Sequence, residues 1–331
     1  MPSPEESHSL TAFHTEFDSL DEFNERAMRL FHWQRTQCKP YREFLEYLGR
    51  PAPKNVEDIP HLPISAFKQH RVISSEREAE MVFRSSGTTD SVQSCHHVVD
   101  ASIYKEAHTE GFRNVYGSFE DYAILALLPG YLERSDASLV HMVESWIDLS
   151  GHPASGFYLD DFEGLANQLA ALKEKGQKTL LIGVTFALLD FSAQFSIDFP
   201  ELIVMETGGM KGRRKEMIRA EVHDLLRTGF NVENIHSEYG MTELLSQAYA
   251  VRQGKFTAPP WMKVTIHDIR DRLSLAAPYR SGLIHLIDLA NIHSCAFIAT
   301  DDIGRYHEDS TFEVLGRFDR SEVRGCNLMV Q

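Results

Sequence analysis

The chain has 331 residues, 43% hydrophobic and 24% charged, an ordinary balance for a soluble globular protein with one large domain or two moderate ones. Lys and Arg number 33 against 48 Asp and Glu, a formal charge of −15. A surface that acidic repels phosphate backbones and anionic membranes, which disfavours nucleic acid as a main partner, although a local pocket with a cation still admits a nucleotide.

The opening residues Met1 to Leu10 have neither the basic residues nor the apolar run of a secretory signal. Phe23, Ala27, Leu30 and Phe31 then fall on one helical face, and Tyr41, Phe44, Leu45 and Leu48 continue the pattern to Gly49. A Pro-rich connector runs from Pro51 to Pro63. Ile103 to Val115 reads as helix. Tyr122 to Leu128 reads as a buried strand ended by Pro129 and Gly130, and it is too short to cross a bilayer. Leu139 to Val143 suggests an apolar helix face, with His141 on it as a partly buried histidine or a pocket residue. Thr179 to Ile182 and Leu202 to Met205 are short strands. Gly212 to Arg227 is a charged helix stopped by Gly229, Asn234 to Ser237 a strand, and a further helix is expected to begin near Thr242. Beyond Pro260 the texture turns to strands at Met262 to His267, Gly282 to Leu289, Ala296 to Ala299 and Thr311 to Leu315. Alternating β and α followed by a run of strands predicts an α/β body with a β-rich subdomain.

The four cysteines, Cys38, Cys95, Cys295 and Cys326, show no CxxC pair and no His/Cys metal spacing. Reduced thiols in a cytoplasmic protein, without a structural zinc site, are expected.

Four segments carry chemistry. Ser85-Ser86-Gly87-Thr88-Thr89 sets hydroxyls and backbone N–H groups around one glycine, which suits a phosphate cradle but is no Walker loop; a surface turn would have the same composition. Glu206-Thr-Gly208-Gly209-Met-Lys-Gly212 follows an apolar strand, where backbone can approach a ligand closely. In Tyr239-Gly-Met-Thr242-Glu243, Thr242 can donate to a phosphate, Glu243 offers a hard oxygen to Mg²⁺ and Tyr239 can lie against a base; an ordinary helix N-cap would read alike. Asp302 in Thr300-Asp-Asp can accept both hydroxyls of a ribose, with Asp301 as its alternative, and Arg317 in Gly316-Arg-Phe-Asp319 can neutralise phosphate. His97 also stands out as a lone candidate.

In this order the segments resemble the adenylate-forming superfamily, and within it the LuxE-type acyl-protein synthetases, relatives of the phenylacetate–CoA ligases. The resemblance covers residues 61 to 331 and is carried further by Leu62-Pro-Ile-Ser-Ala-Phe-Lys68, Glu206 to Lys211 and His236 to Gln247. An N-terminal helical segment is expected at 1–60, and the resemblance implies an α/β adenylating core at 61–260 and a β-rich subdomain at 261–331 that ends near a hinge, with the usual C-terminal lid absent or vestigial. It implies ATP and Mg²⁺ as cofactors: Ser85, Ser86, Gly87, Thr88 and Thr89 on the β- and γ-phosphates, Gly208 and Gly209 beside the adenine, and Tyr239 stacked on it. Thr242 would meet the α-phosphate, Glu243 the metal, Asp302 the ribose, with Arg317 at the hinge. Asp90 departs from the family's usual glycine. No lysine follows Arg317, so another subunit would supply the lid lysine's role, or Lys68, Lys211 or Lys215 would substitute for it, or activation would be slow. Cys326, near Arg320 and Arg324, is the implied acyl acceptor, and a buried structural cysteine is the competing reading. The implied activity is activation of a carboxylic acid, a fatty acid in this branch, with transfer to a protein cysteine. Transfer to coenzyme A and a weakly catalytic nucleotide-binding partner subunit are the alternatives. Partners implied are the acid, an acyl-donor or acyl-acceptor protein and a second copy in a homodimer.

Overall fold

The computed structural model describes residues 20–86, 92–129, 136–208 and 217–318. Helix α1, Leu20–Gln37, buries Phe23, Ala27, Leu30, Phe31 and also Gln34. The Gln34 amide donates to the carbonyls of Asn291 and Ile292 and accepts from the Ala296 N–H, so a polar side chain on an apolar stripe ties the helix to a loop distant in sequence. Helix α2, Lys39–Leu48, closes on Gly49 in the left-handed region, as a helix-ending glycine should. Its Tyr41 stacks on Phe297 and donates to the Pro60 carbonyl at 2.6 Å.

Two large sheets follow. The first has six strands in the order β5-β4-β6-β7-β8-β9: β4 is Ala123–Leu127, β5 Gly156–Phe157, β6 Thr179–Gly183, β7 Ile203–Glu206, β8 Ile235–Tyr239 and β9 Ala248–Ala250. All neighbours are parallel except β8 and β9. Every residue of β4 and β6 is buried, because helices cover both faces of a parallel sheet; this is why both read as continuous apolar runs. The second sheet takes β10 (Met262–His267), β11 (Gly282–Asp288), β12 (Phe297–Tyr306) and β13 (Phe312–Arg317). It also takes β1, Leu62–Pro63, which pairs in parallel with β12. A separate hairpin pairs β2, Met81–Arg84, with β3, Cys95–Val98. No helix among the described residues is long and apolar enough to cross a membrane.

Two sequence expectations need correction. Residues 240–247 form turns and irregular chain rather than a helix from Thr242, and β9 follows directly. The Asp288 carboxylate captures the N–H groups of Leu245 and Ser246, and β9 then pairs with β8, so the backbone there is satisfied by tertiary partners instead of a helical ladder. The N-cap reading of Thr242 falls with the helix. Second, the charged helix runs Arg219–Phe230 and ends on left-handed Asn231, with Gly229 inside it. A Cβ at Gly229 would stand 2.5 Å from the Ser192 Cβ, so this glycine serves close packing against the helix Thr185–Gln194, and not termination.

Candidate active site

The site forms where β7 and β8 end, the usual binding edge of an open α/β sheet. Of the hydroxyl-rich segment, Ser85 and Ser86 follow β2, and Ser94 stands just before β3. Ser85 N–H donates to the Ser94 carbonyl and Ser94 N–H to the Ser85 hydroxyl, both at 3.0 Å, which closes the stem. Ser86 is exposed at the lip of a cavity of about 150 Å³. Gly87, Thr88, Thr89 and Asp90 lie outside the described residues, as do Gly209, Lys211, Lys215, Asp319, Arg320, Arg324 and Cys326.

The loop after β8 docks on that hairpin. His96 on β3 donates from Nδ1 to the Thr242 carbonyl at 2.9 Å; a carbonyl only accepts, so Nε2 is the lone-pair nitrogen and accepts from the Ser294 hydroxyl at 3.0 Å. Burial holds the His96 pKa down at about 4, so the ring is neutral. Asn291 donates to the Glu243 carbonyl at 2.8 Å. The Glu243 side chain is 5% exposed. Burial pushes its carboxyl above the usual range, the Ser94 hydroxyl and Arg317 pull it back, and Asp302 adds to the rise. A buried carboxylate whose charge is costly, with a hydroxyl oxygen beside it, is a donor set suited to a hard cation such as Mg²⁺.

Tyr239 is 8% exposed, its ring edge-on to Phe256 and Phe312 with both centroids at 5.8 Å. Its hydroxyl donates to Asp302 Oδ2 at 2.9 Å. Asp302 faces Arg317 across the β12–β13 ladder, with Arg317 Nε 3.8 Å from Oδ1. Asp301 instead pairs with Arg272 at 3.1 Å. Successive strand residues point to opposite faces, so of the two acids the sequence offered, only Asp302 meets Tyr239. Both acids lie within β12.

Beneath the loop after β7 lies Glu206, 3% exposed. Its carboxylate accepts from Gly208 N–H at 2.8 Å and Thr185 hydroxyl at 3.1 Å, with Arg219 at 3.3 Å. Burial alone would push this acid up; Arg219, His223 and Ser237 outweigh it and hold the pKa at about 2. Gly208 has φ +74°, which suits glycine, and with Glu206 and Arg317 it borders a second cavity of about 470 Å³. His141 contacts the Phe83 ring at 5.5 Å, while Leu139 and Met142 line the first cavity. Lys68 is exposed on the short helix Ala66–Gln69.

Sequence reasoning missed His96, Asn291, Asp288 and Glu238, each outside the motif reading or masked by it. For His96 the available signal was strand alternation: β3 turns His96 and Val98 inward and leaves His97 half-buried. Glu238 lines the first cavity, and burial pushes its carboxyl up to about 8, with Glu206 adding to the rise. Between about pH 4.5 and about 8 the folded chain therefore holds a proton that the unfolded chain releases, and this contribution to stability falls as pH rises through that window. Glu238→Gln is expected to flatten this dependence and to gain about 1–2 kcal/mol at the alkaline end, read from denaturant midpoints at the two ends of the window. A midpoint difference between the two pH values equal to that of the parent would contradict it.

A largely parallel sheet, a hydroxyl-rich hairpin and a Tyr-Gly-Met-Thr-Glu loop locked onto it define an α/β fold of the adenylate-forming ligases. Solved structures agree on that fold. The chain is similar to an open conformation of 2-hydroxyisobutyryl-CoA ligase in complex with 2-HIB-AMP and CoA, at TM-score 0.64 and 11% identity over 92% of this chain and 77% of that one. The thioesterification-state structure of the same ligase gives 0.63 and 12% over 97% and 70%. ATP-bound MatB from Rhodopseudomonas palustris gives 0.55 and 14% over 74% and 50%. The family profile described as acyl-protein synthetase, LuxE, matches residues 23–331, and the chain belongs to that family. No curated protein matches it.

Proposed function

We propose that the protein joins a carboxylic acid to ATP as an acyl-adenylate and passes the acyl group to a protein cysteine. The carrying observation is the convergence on Glu243: the Ser94 hydroxyl from the hairpin meets its carboxylate, and Arg317 and Asp302 from the second sheet act on it, within a loop pinned by His96 and Asn291. The substrate carboxylate oxygen forms a bond to the α-phosphorus, and the bond to the bridging oxygen breaks, so pyrophosphate leaves with the electron pair. A thiolate then attacks the acyl carbonyl and AMP departs. Thr242 and the Ser85–Thr89 segment would supply hydrogen-bond donors to the phosphates, Asp302 would accept from the ribose, and Gly208 and Gly209 with Tyr239 would border the base. Glu243 and Ser94 would hold Mg²⁺, which when bound neutralises developing phosphate charge. Cys326 is the proposed first acceptor.

The acid class is the point most open to measurement. A cavity of about 150 Å³ is of the size that accepts one benzene, so a fatty acid, the substrate implied by the family branch, would run beyond it. Acid-dependent exchange of labelled pyrophosphate into ATP with Mg²⁺, over short, aromatic and long-chain acids, is the test. Exchange with one acid class is expected. Binding of ATP without exchange for any acid would point to a non-catalytic partner subunit. The similarity to a CoA ligase fold favours one second reading, transfer to coenzyme A. Formation of an acyl-CoA, with no hydroxylamine-labile acyl-protein, would establish it.

A further inference from the structure

Three buried histidines meet on the second sheet, apart from the site above. His61 precedes β1, His267 ends β10 and His285 lies within β11; they are 6%, 4% and 2% exposed. None of them borders either cavity described above. One ring nitrogen from each lies within 4.8 Å of one from each of the others. The His267 and His285 rings stack with centroids 3.7 Å apart, and His61 is 5.0 Å from His285.

Their hydrogen bonding is incomplete in a particular way. His267 Nδ1 donates to the Arg272 carbonyl at 3.0 Å, which fixes the tautomer and leaves Nε2 as the lone-pair nitrogen, accepting from the Thr265 hydroxyl at 3.1 Å. A metal-binding histidine is oriented in this way by a backbone carbonyl on its other nitrogen. Neither ring nitrogen of His285 has a hydrogen-bond partner, and those of His61 have none of normal geometry, the Ile59 backbone offering only a weak contact. Buried polar atoms without partners are rare in folded proteins, and several facing one another make a place where a ligand that takes up nitrogen lone pairs would fit. Desolvation also keeps all three imidazoles in the neutral form that ligates metals.

We propose that His61, His267 and His285 bind one divalent transition-metal ion, zinc first among them, which ties the connector entering β1 to the β10–β11 hairpin. Imidazole nitrogens suit zinc and its neighbours and do not suit magnesium or calcium. Three histidines leave the fourth tetrahedral position to water. Bonds of about 2.0 Å place tetrahedral nitrogens about 3.3 Å apart, so the nitrogens close by up to about 1.5 Å and the stacked rings rotate apart. With both nitrogens of His285 unpartnered, no hydrogen bond of that ring opposes the rotation.

The experiment uses the full untagged chain, stripped with a chelator, loaded with Zn²⁺ or Co²⁺ and desalted. The expected result is about one equivalent of metal per chain, a tetrahedral Co²⁺ visible spectrum and a zinc-dependent rise in melting temperature. His285→Phe, which fills the same space without a lone pair, should lose the equivalent and the spectrum, and exposed His70→Ala should keep both. The chain has 16 histidines, so the His70 control separates this site from surface binding. If His285→Phe fails to fold, the Co²⁺ spectrum and melting shift of the parent chain decide the matter. A folded parent that retains no stoichiometric metal and shows no tetrahedral spectrum overturns the proposal, as does an equivalent that persists in folded His285→Phe.

Discussion

Glu243→Gln is expected to lower acid-dependent pyrophosphate exchange by about 10²–10³-fold while the fold survives, the loss typical when one preorganised group is taken from a site of developing charge. The substitution keeps shape and one acceptor oxygen but removes the charge that would hold a cation. The loop itself does not depend on that side chain: Asn291 holds the Glu243 carbonyl and His96 holds that of Thr242. A neutral amide also suits a position where burial already pushes the carboxyl above its usual range, so the melting temperature should hold or rise. Exchange kinetics over a Mg²⁺ titration check this, with a raised Mg²⁺ requirement expected beside the lower maximum. Unchanged exchange at saturating Mg²⁺ would remove Glu243 from the proposed site.

Asp288→Ala is expected to cost about 3–5 kcal/mol, because several buried donors lose their acceptor together. Asp288 is fully buried. Its Oδ2 accepts the N–H groups of Leu245 and Ser246, both at 3.0 Å; its Oδ1 accepts the Ser246 hydroxyl at 2.6 Å and the Ala290 N–H at 3.1 Å. Trp261 completes the cluster by donating to the Ser246 hydroxyl at 2.9 Å. Asp288→Asn retains one acceptor oxygen, yet in either orientation its amide turns toward an N–H, so an intermediate loss is expected. Urea midpoints of the two variants measure this. Because the same donors shape the loop bearing Thr242 and Glu243, exchange activity should fall with stability, and a variant that kept the parent's midpoint would show that this clasp does not hold the loop.

Much of this protein is legible in the sequence wherever the pattern is local. The apolar runs Tyr122 to Leu128 and Thr179 to Ile182 read as strands, and the strands Ala123–Leu127 and Thr179–Gly183 are buried throughout because parallel sheets are covered on both faces. The stripe Phe23, Ala27, Leu30, Phe31 gave its helix through the 3.6-residue period, and Met262–His267 appears with the same bounds in sequence and structure. The order of the hydroxyl-rich, Gly-Gly and Tyr-Gly-Met-Thr-Glu segments carried the family, which the match over residues 23–331 establishes.

Tertiary structure decided the rest, where a residue's conformation or role depends on a partner far away in the chain. No local pattern announces that Asp288 will take the N–H groups of residues 245 and 246 and so prevent a helix there. The choice of Asp302 over Asp301, and of His96 over His97, is a one-residue matter of strand register, and a shift by one residue turns the other side chain inward. Nor does spacing show that histidines at 61, 267 and 285 meet, because sheet pairing assembles them from a connector and two strands. Sequence fixed the kinds of chemistry present through residue types and local periodicity; which of those groups share one dielectric environment was set by the pairing and packing of the sheets, since hydrogen bonding and desolvation act through space rather than along the chain.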